Sequence, residues 1–435
     1  MKHPQVPLLA TALLIVQLPL HASVVGMSPP AMPLTEKRIA EMPANTQTAW
    51  TTYLERSKQQ MSEDQKSFTR ELKANGLKQP LPVPDGHDAK SLPLDRAASW
   101  YGETEARRVA DCVVSFQTPA GGWSKNIDLA KQPRQPGQRY SHDGGSQFTD
   151  RSDNDRPVNA AWSYVGTFDN DATTTELRYL AKVINAVPAA NKAPYRAAFS
   201  RGFNYILSAQ YPNGGWPQVW PLEGGYHDAI TFNDGAMLHV LALLRDVTNG
   251  LNEFAFVGPE QRSNAAASFQ RGLDCLLACQ ISTAGHLTVW CQQHDMLTQQ
   301  PCSARNYEMP AEASSESAEI LLFLMEIQKP SPAVIRAIKS GAAWFEKTAI
   351  NGWGFRSING ERHLVEQHDA GPIWPRYAQI GTDRPLFGDR DKSIHDSVED
   401  ISRERRNGYA WFNGSASRAL EKYRLWLKTQ PLERN

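Results

Sequence analysis

Apolar positions recur at three- and four-residue spacing in well-separated stretches of the chain, the period of a helix with one buried face. Between Glu103 and Phe116 they are Ala106, Val109, Ala110 and Val113. In the stretch after Phe168 they are Leu177, Leu180, Ala181 and Ile184, and from about Asn233 they are Val240, Leu241, Leu244 and Val247. A further apolar helix is predicted from about Ser315, and an amphipathic helix closes the chain. Thr173-x-x-Glu176 and Thr231-x-x-Asp234 have the spacing of capping boxes, so two of these helices are expected to begin there.

The helical stretches are joined by loops with a repeated signature. Gln117-x-x-x-Gly121-x-Trp123 returns as Gln210-x-x-x-Gly214-x-Trp216. Arg201-Gly202 stands nine residues before Gln210, and Arg271-Gly272 nine before Gln280, which places Trp290 where Trp220 stands in the earlier copy. Trp344-Phe345 followed by Asn351-Gly352-Trp353 reads as a decayed fourth copy. Helix, Gly-Trp loop and helix, repeated, is how a chain builds an α/α toroid, an incomplete barrel of helical hairpins.

Composition changes the picture in two places. The 435 residues carry 46 basic and 46 acidic side chains and are 41% hydrophobic. A large core is therefore available, and the zero formal net charge argues against nucleic acid or a polybasic membrane contact. Residues 1–23 pair Lys2 and His3 with a proline-broken apolar run ending near Leu20, the pattern of a signal peptide, so a secreted or periplasmic protein is expected. Residues 24–96 read as an N-terminal helical extension, centred on Trp50 to Leu77, with a proline-rich linker. Residues 97–435 read as the catalytic domain. Of the five cysteines, Cys275 and Cys279 sit one helical turn apart, and Cys291 and Cys302 bracket a short loop whose closure would add roughly 3 kcal/mol. No cysteine or histidine spacing suits zinc.

Candidate chemistry gathers where loops meet helices. Trp216, Trp220, Tyr226 and His227 lie among Gly and Pro breaks ahead of Asp234, an arrangement that suits a sugar site as well as a core. Asp169 and Asp171 stand just before another helix. Carboxylates at two such junctions on one rim supply the oxygen ligands that a hard cation such as calcium takes at about 2.3–2.6 Å. Lys125 in the first Gly-Trp loop, Arg305 ahead of the apolar helix, and Arg376 and Arg390 between aromatic and turn residues offer cations to an acidic polysaccharide.

Seven ordered blocks, GGWSKNID, DNDATTTELRYLA, YPNGGWPQVWPL, YHDAITFNDGAM, ARNYEMP, RYAQIGTDRPLFGDRD and ERRNGYAWF, resemble the pectate lyases of polysaccharide lyase family 10 from about Ala97 to Phe412. The resemblance implies an α/α toroid with a smaller, irregular, β-containing lobe, and calcium-assisted β-elimination of α-1,4-polygalacturonate. It places the calcium on Asp169 and Asp234 and the base that removes the C5 proton on Arg305. It assigns substrate carboxylates to Arg376 and Arg390; Lys125, Trp216 and Tyr307 are expected as further substrate contacts. Many members have glycine where this chain has Asp171, which leaves Asp171 either a third ligand or a helix cap. Arginine is a weak candidate for a base because lowering its pKa by three units costs about 4 kcal/mol. Nearby calcium and other arginines are expected to loosen its proton, and an alkaline optimum follows.

A monomer is expected, with no membrane contact once the leader is removed. Two other readings are an inverting glycoside hydrolase, drawing its acid and base from Asp228, Glu223, Glu308 and Asp295, and a carbohydrate-binding protein without turnover. A triterpene cyclase also uses a Gln-x-x-x-Gly-x-Trp repeat, but its acidic motif is poorly matched by DNDAT and a leader disfavours it.

Overall fold

A computed structural model describes residues 24–84, 92–142, 159, 162–250 and 252–429. The signal-peptide reading of residues 1–23 lies outside these. Eleven α-helices occur among the described residues: α1 Glu36–Ala40, α2 Ala44–Ala74, α3 Thr104–Ser115, α4 Thr174–Ala186, α5 Ala193–Ala209, α6 Ala236–Asn249, α7 Pro259–Ala278, α8 Ser314–Leu324, α9 Pro332–Thr348, α10 Arg403–Gly408 and α11 Ser415–Thr429.

From α3 to α9 the chain runs back and forth. Helices α4, α6 and α8 pack side by side as an inner row, and α3, α5, α7 and α9 lie outside them. This is the α/α toroid expected from the repeat. The periodic apolar residues are the reason: Leu177, Leu180, Ala181 and Ile184 on α4 and Val240, Leu241, Leu244 and Val247 on α6 are fully buried. Each of the larger ones contributes about 1.5–3 kcal/mol of transfer free energy. Pro259 and Pro332 open their helices at the first position, where no backbone donor is needed, and Gly250 ends α6 in a left-handed turn.

The repeated loop residues hold this frame. Gln117 Nε2 donates to Gly121 O (2.7 Å) in its own loop and to Ala198 O (2.8 Å) on α5. Gln210 Nε2 does the same with Gly214 O (2.9 Å) and Ser268 O (2.9 Å) on α7. Gln280 Nε2 reaches Thr288 O (2.9 Å) and Ala337 O (3.1 Å) on α9. Each amide therefore ties one outer helix to the next. The tryptophans close the preceding helix: the indole N–H of Trp123 donates to Val113 O (2.7 Å) and that of Trp216 to Ile206 O (2.9 Å). Trp290 donates likewise to Leu276 O (2.8 Å), so it is the counterpart of Trp216 and not of Trp220. A short hairpin, Ser282–Thr283 with His286–Leu287, lengthens the third loop and displaces its tryptophan. In the fourth copy Trp374, bonded to Phe345 O (2.9 Å), takes this place, because Trp353 opens an inserted hairpin of residues 353–358 and 361–366.

Helix α4 begins at Thr174 with Thr173 at its N-cap, as expected, but neither expected capping box forms. The Thr173 hydroxyl donates to Thr167 O (2.9 Å) and accepts from Trp123 N (3.0 Å), and no side-chain cap bond forms on α4. The Thr231 hydroxyl turns back to Ala229 O (3.0 Å), and α6 begins only at Ala236. Both hydroxyls serve the loops, which leaves the preceding aspartates in turns outside the helices.

A smaller lobe carries a five-stranded sheet in the order 24–27, 393–395, 385–388, 377–378, 312–313, over a core that includes Tyr307, Tyr377, Phe387 and Trp411. Its edge strand comes from the N-terminal segment, which continues as a strap across the molecule. Leu34 N donates to Asp228 Oδ2 (3.0 Å), Arg38 pairs with Asp295 (2.5 Å), and on α2 Tyr53 Oη donates to Ala209 O (2.9 Å). All five cysteines are free thiols, Cys291 and Cys302 included.

Candidate active site

Two similar turns lead into the inner helices α4 and α6. Thr167-Phe168-Asp169-Asn170-Asp171-Ala172 and Thr231-Phe232-Asn233-Asp234-Gly235-Ala236 align residue for residue. Phe168 N donates to Gln218 O (3.0 Å), and Phe232 N donates to Gln292 O (2.9 Å). In each turn the backbone passes through the left-handed region, at Asn170 (φ 51°) and Asp171 (φ 62°) in one and Asp234 (φ 49°) and Gly235 (φ 68°) in the other. Left-handed aspartates cost on the order of 1 kcal/mol each, and such residues cluster at functional sites. The alignment also shows why glycine suits position 171: its counterpart Gly235 has the same backbone.

The turns pack together and bring Asp169 and Asp234 to one rim. Asp169 is buried and bonds Lys125 Nζ through Oδ2, while Oδ1 has no hydrogen-bond partner. Burial pushes this carboxyl up, but Lys125, with help from Gln218 and Arg305, outweighs burial and holds it below the usual range. Asp234 faces solvent along one side. Burial of the other side, then Asp169 and Glu316, push its carboxyl up to about 6 against the pull of Arg376 and Arg305. Because water reaches it, repulsion from the two neighbouring carboxylates is the cause that counts most. Asp171 turns away from this pair, its Oδ1 lying 2.6 Å from His239 Nδ1 without hydrogen-bond alignment.

Arginines face these acids. Arg376 donates to Glu316 Oε1 (2.6 Å) and to Asn233 Oδ1 (3.4 Å), and its guanidinium lies 4.9 Å from the Tyr409 ring centroid. Arg305 donates through Nε to Glu308 Oε2 (2.9 Å) and through Nη2 to Glu308 Oε1 (2.5 Å). Burial disfavours the Arg305 charge, yet Glu308 more than offsets it and holds the guanidinium well above its ordinary pKa. Among the protein's own groups, the buried Glu308 carboxylate three residues on therefore dominates the Arg305 guanidinium. Arg390 is half-exposed beside Glu404 (3.3 Å) and lies farther along the same face.

Two expected substrate contacts are corrected. Trp216 is 1% exposed, locked against Gly272 with its N–H on a helix carbonyl, so no ring face is open to a sugar. Tyr307 is 3% exposed and serves as a plate under three guanidiniums, Arg305 (5.1 Å), Arg390 (5.3 Å) and Arg405 (4.5 Å). Arg405, Glu316 and Tyr409 belong to the site and were missed. Arg405 looks in sequence like one more charge on a polar helix, and Glu316 like one more polar residue in a Ser-rich run. Tyr164, whose ring covers Lys125 at 3.9 Å, also carried no signal.

The carboxylates nominated for a hydrolase are engaged elsewhere. Asp228 accepts from Leu34 N and Gly224 N (2.9 Å), Glu223 from Ser163 Oγ (2.7 Å) and Tyr164 N (2.8 Å), and Asp295 pairs with Arg38. Glu308 is bound to Arg305.

Comparison with known proteins gives the family. The family model described as pectic acid lyase matches residues 117–420. No curated protein sequence matches the chain. A solved structure of a family 10 polysaccharide lyase from Cellvibrio cellulosa is 30% identical with a TM-score of 0.63, covering 76% of this chain and 94% of its own. An aspartate-to-alanine mutant of a family 10 lyase from that organism, in complex with trigalacturonic acid, aligns at 30% identity and TM-score 0.63 over 77% of this chain and 99% of its own. The chain belongs to the pectic acid lyases, family 10 of the polysaccharide lyases.

Proposed function

We propose that this lyase is a secreted, calcium-dependent enzyme that cleaves α-1,4-polygalacturonate by β-elimination, with Arg305 as the base at C5. The observation that carries the reading is the meeting of Asp169, Asp234 and Glu316 with Lys125, Arg305 and Arg376 on one rim. A polyuronate presents a carboxylate on every ring and needs this alternation of cations and cation-holding oxygens. The trigalacturonate bound to the related lyase supports the same substrate class.

The oxygen donors fit calcium. Asp169 Oδ1 and Glu316 Oε2 are buried without hydrogen-bond partners, and Asp234 is repelled by both acids. Among the described residues no three acidic or histidine side chains converge closely enough to enclose a metal alone, so substrate oxygens would complete the shell. Asp169 and Asp234 would hold the ion, and Asp171 stands aside with His239. Bound calcium supplies a Lewis acid that draws charge from the uronate carboxylate and acidifies the adjacent C5 proton.

The chain's own residues do the rest. Lys125, Arg376 and Arg390 anchor carboxylates of successive sugars; Arg305 takes the C5 proton, the C5–H electron pair forms the C4=C5 double bond, and the C4–O bond breaks to release O4, which takes a proton from water. Since Glu308 keeps Arg305 protonated, its competent neutral fraction grows with pH, and the optimum lies on the alkaline side. No described helix is long and apolar enough to cross a membrane, and residues 1–23 are assigned to export. We take the enzyme to act as a monomer.

The test is the ultraviolet absorbance of the conjugated product formed from polygalacturonate, with calcium and then with chelator. A calcium-dependent rise that Arg305→Ala abolishes supports the reading. New reducing ends without absorbance would make the protein a hydrolase and defeat it.

A further inference from the structure

Arg305 is held by one side chain at three of its donors. Glu308 Oε2 accepts from the Arg305 backbone N (3.0 Å) and Nε (2.9 Å), and Oε1 accepts from Nη2 (2.5 Å). Glu308 N in turn donates to Arg305 O (2.9 Å), closing a rigid clip. Nη1 is left as the guanidinium nitrogen with no hydrogen bond among the described residues. The carboxylate is 2% exposed at its side chain, so this is no surface pair of a fraction of a kcal/mol. Burial pushes Glu308 up, and Arg305 with Tyr409 brings it down to about 2.

Behind Glu308 stands a chain of hydroxyls. Tyr409 Oη donates to Glu308 Oε1 (2.8 Å), Tyr377 Oη lies 2.7 Å from Tyr409 Oη, and the Gln292 side chain bonds Tyr377 Oη. Each tyrosine has one proton, so all three bonds form only if Gln292 gives the first. With its amide turned so that Nε2 faces Tyr377, the donors run Gln292 to Tyr377 to Tyr409 to Glu308. That orientation reverses the Tyr377–Gln292 bond and exchanges which amide atom of Gln292 goes without a partner, Oε1 in place of Nε2. The backbone carbonyl of Gln292 meanwhile accepts from Phe232 N (2.9 Å) and Asn233 N (3.1 Å), next to Asp234. One hydrogen-bonded line thus connects the arginine to the turn that carries Asp234.

We propose that Glu308 is the positioning residue of this enzyme: it selects Nη1 as the nitrogen presented to the sugar and sets the pH at which Arg305 acts, with Tyr409, Tyr377 and Gln292 holding it in its ionised form. This rests on the reading of Arg305 as base. Glu308 is not itself a proton acceptor, because every donor around it stabilises the carboxylate. The charged and titratable groups facing Arg305 are Glu308, Tyr307, Tyr409, Arg405, Asp169 and Asp234. Of these, Glu308 alone bonds it directly.

The experiment compares pH profiles of elimination on polygalacturonate for wild type, Glu308→Gln, Tyr409→Phe and Arg305→Ala. Glu308→Gln is expected to lower kcat by about 100-fold through misplacement of the guanidinium, to leave KM within about twofold because it touches no substrate, and to move the alkaline rise to lower pH. Tyr409→Phe keeps the clip and removes one donor from a carboxylate that stays ionised, which leaves more of its charge to Arg305, so the same rise moves slightly to higher pH, opposite to Glu308→Gln, while kcat falls about tenfold at most. If Glu308→Gln does not fold, Tyr409→Phe decides. Profiles that superimpose on wild type, while Arg305→Ala is inactive, overturn this inference and leave the base reading intact. An active Arg305→Ala, or wild type without elimination, overturns the base reading and this inference with it.

Discussion

Gly272→Ala sets two effects of known size against each other. Gly272 lies inside α7, where replacing glycine by alanine in an open helix gains about 0.8–1.0 kcal/mol. Here the added Cβ would stand 2.6 Å from Trp216 Cζ3, 3.0 Å from Cη2 of the same ring and 2.7 Å from Leu241 Cδ2. Neither neighbour can retreat. The indole is tied to Ile206 O at 2.9 Å, and Leu241 is fully buried on α6. Overpacking of this kind costs about 1–3 kcal/mol, and contacts well under 3 Å with a pinned ring belong at the upper end. A net loss of about 1–2 kcal/mol is therefore expected, read as a lower urea midpoint with an unchanged slope. Trp216→Phe combined with Gly272→Ala should recover part of the clash, with a coupling above about 0.5 kcal/mol. Gly202→Ala, whose Cβ would lie 2.7 Å from Trp123 Cζ3, should behave alike. A Gly272→Ala protein as stable as wild type or more so would refute the reasoning. Trp216→Phe that raised KM would show, against the burial, that the ring touches substrate.

Two further outcomes follow from the same geometry. The Glu308 carboxyl is held at about 2 against an ordinary 4.5, so its contribution of roughly 3 kcal/mol is complete above about pH 5 and lost as pH falls toward 2. The stability gap between wild type and Glu308→Gln, measured by urea unfolding, should therefore shrink between pH 7 and pH 3; a constant gap refutes it. Removing residues 24–42 strips the edge strand together with buried Leu34 and Ile39, and should cost at least about 3 kcal/mol. Thermal unfolding at an unchanged midpoint would show that the strap is idle.

The helices could be read from the sequence because Leu177, Leu241 and their neighbours keep helical spacing whatever lies around them. The failure of the capping boxes could not, since Thr173 and Thr231 bond loop groups that are distant in sequence or turned away from the helix. Trp216 illustrates a deeper ambiguity: an aromatic in a glycine-rich loop reads equally as sugar platform and as plug. What separates the two is the recurring glutamine, which shows that loop and tryptophan are one structural unit. Inserted hairpins at residues 282–287 and 353–366 moved Trp290 and Trp374 out of register, which spacing alone does not reveal. At the candidate site, Asp169, Asp234, Arg305 and Arg376 stood out as charges beside loop-to-helix junctions. Glu308, three residues after Arg305, stood among the acids open to a hydrolase reading; only the fold buries it against Arg305 and backs it with Tyr409 and Tyr377.

The central claim is elimination from polygalacturonate with Arg305 as base, and the most direct measurement is the mass of the oligosaccharide products made with calcium present. The account predicts fragments carrying an unsaturated non-reducing end, one water lighter than the corresponding hydrolysis products, and none from Arg305→Ala. Saturated fragments at the full hydrolytic mass, or unsaturated ones still formed by Arg305→Ala, would contradict it.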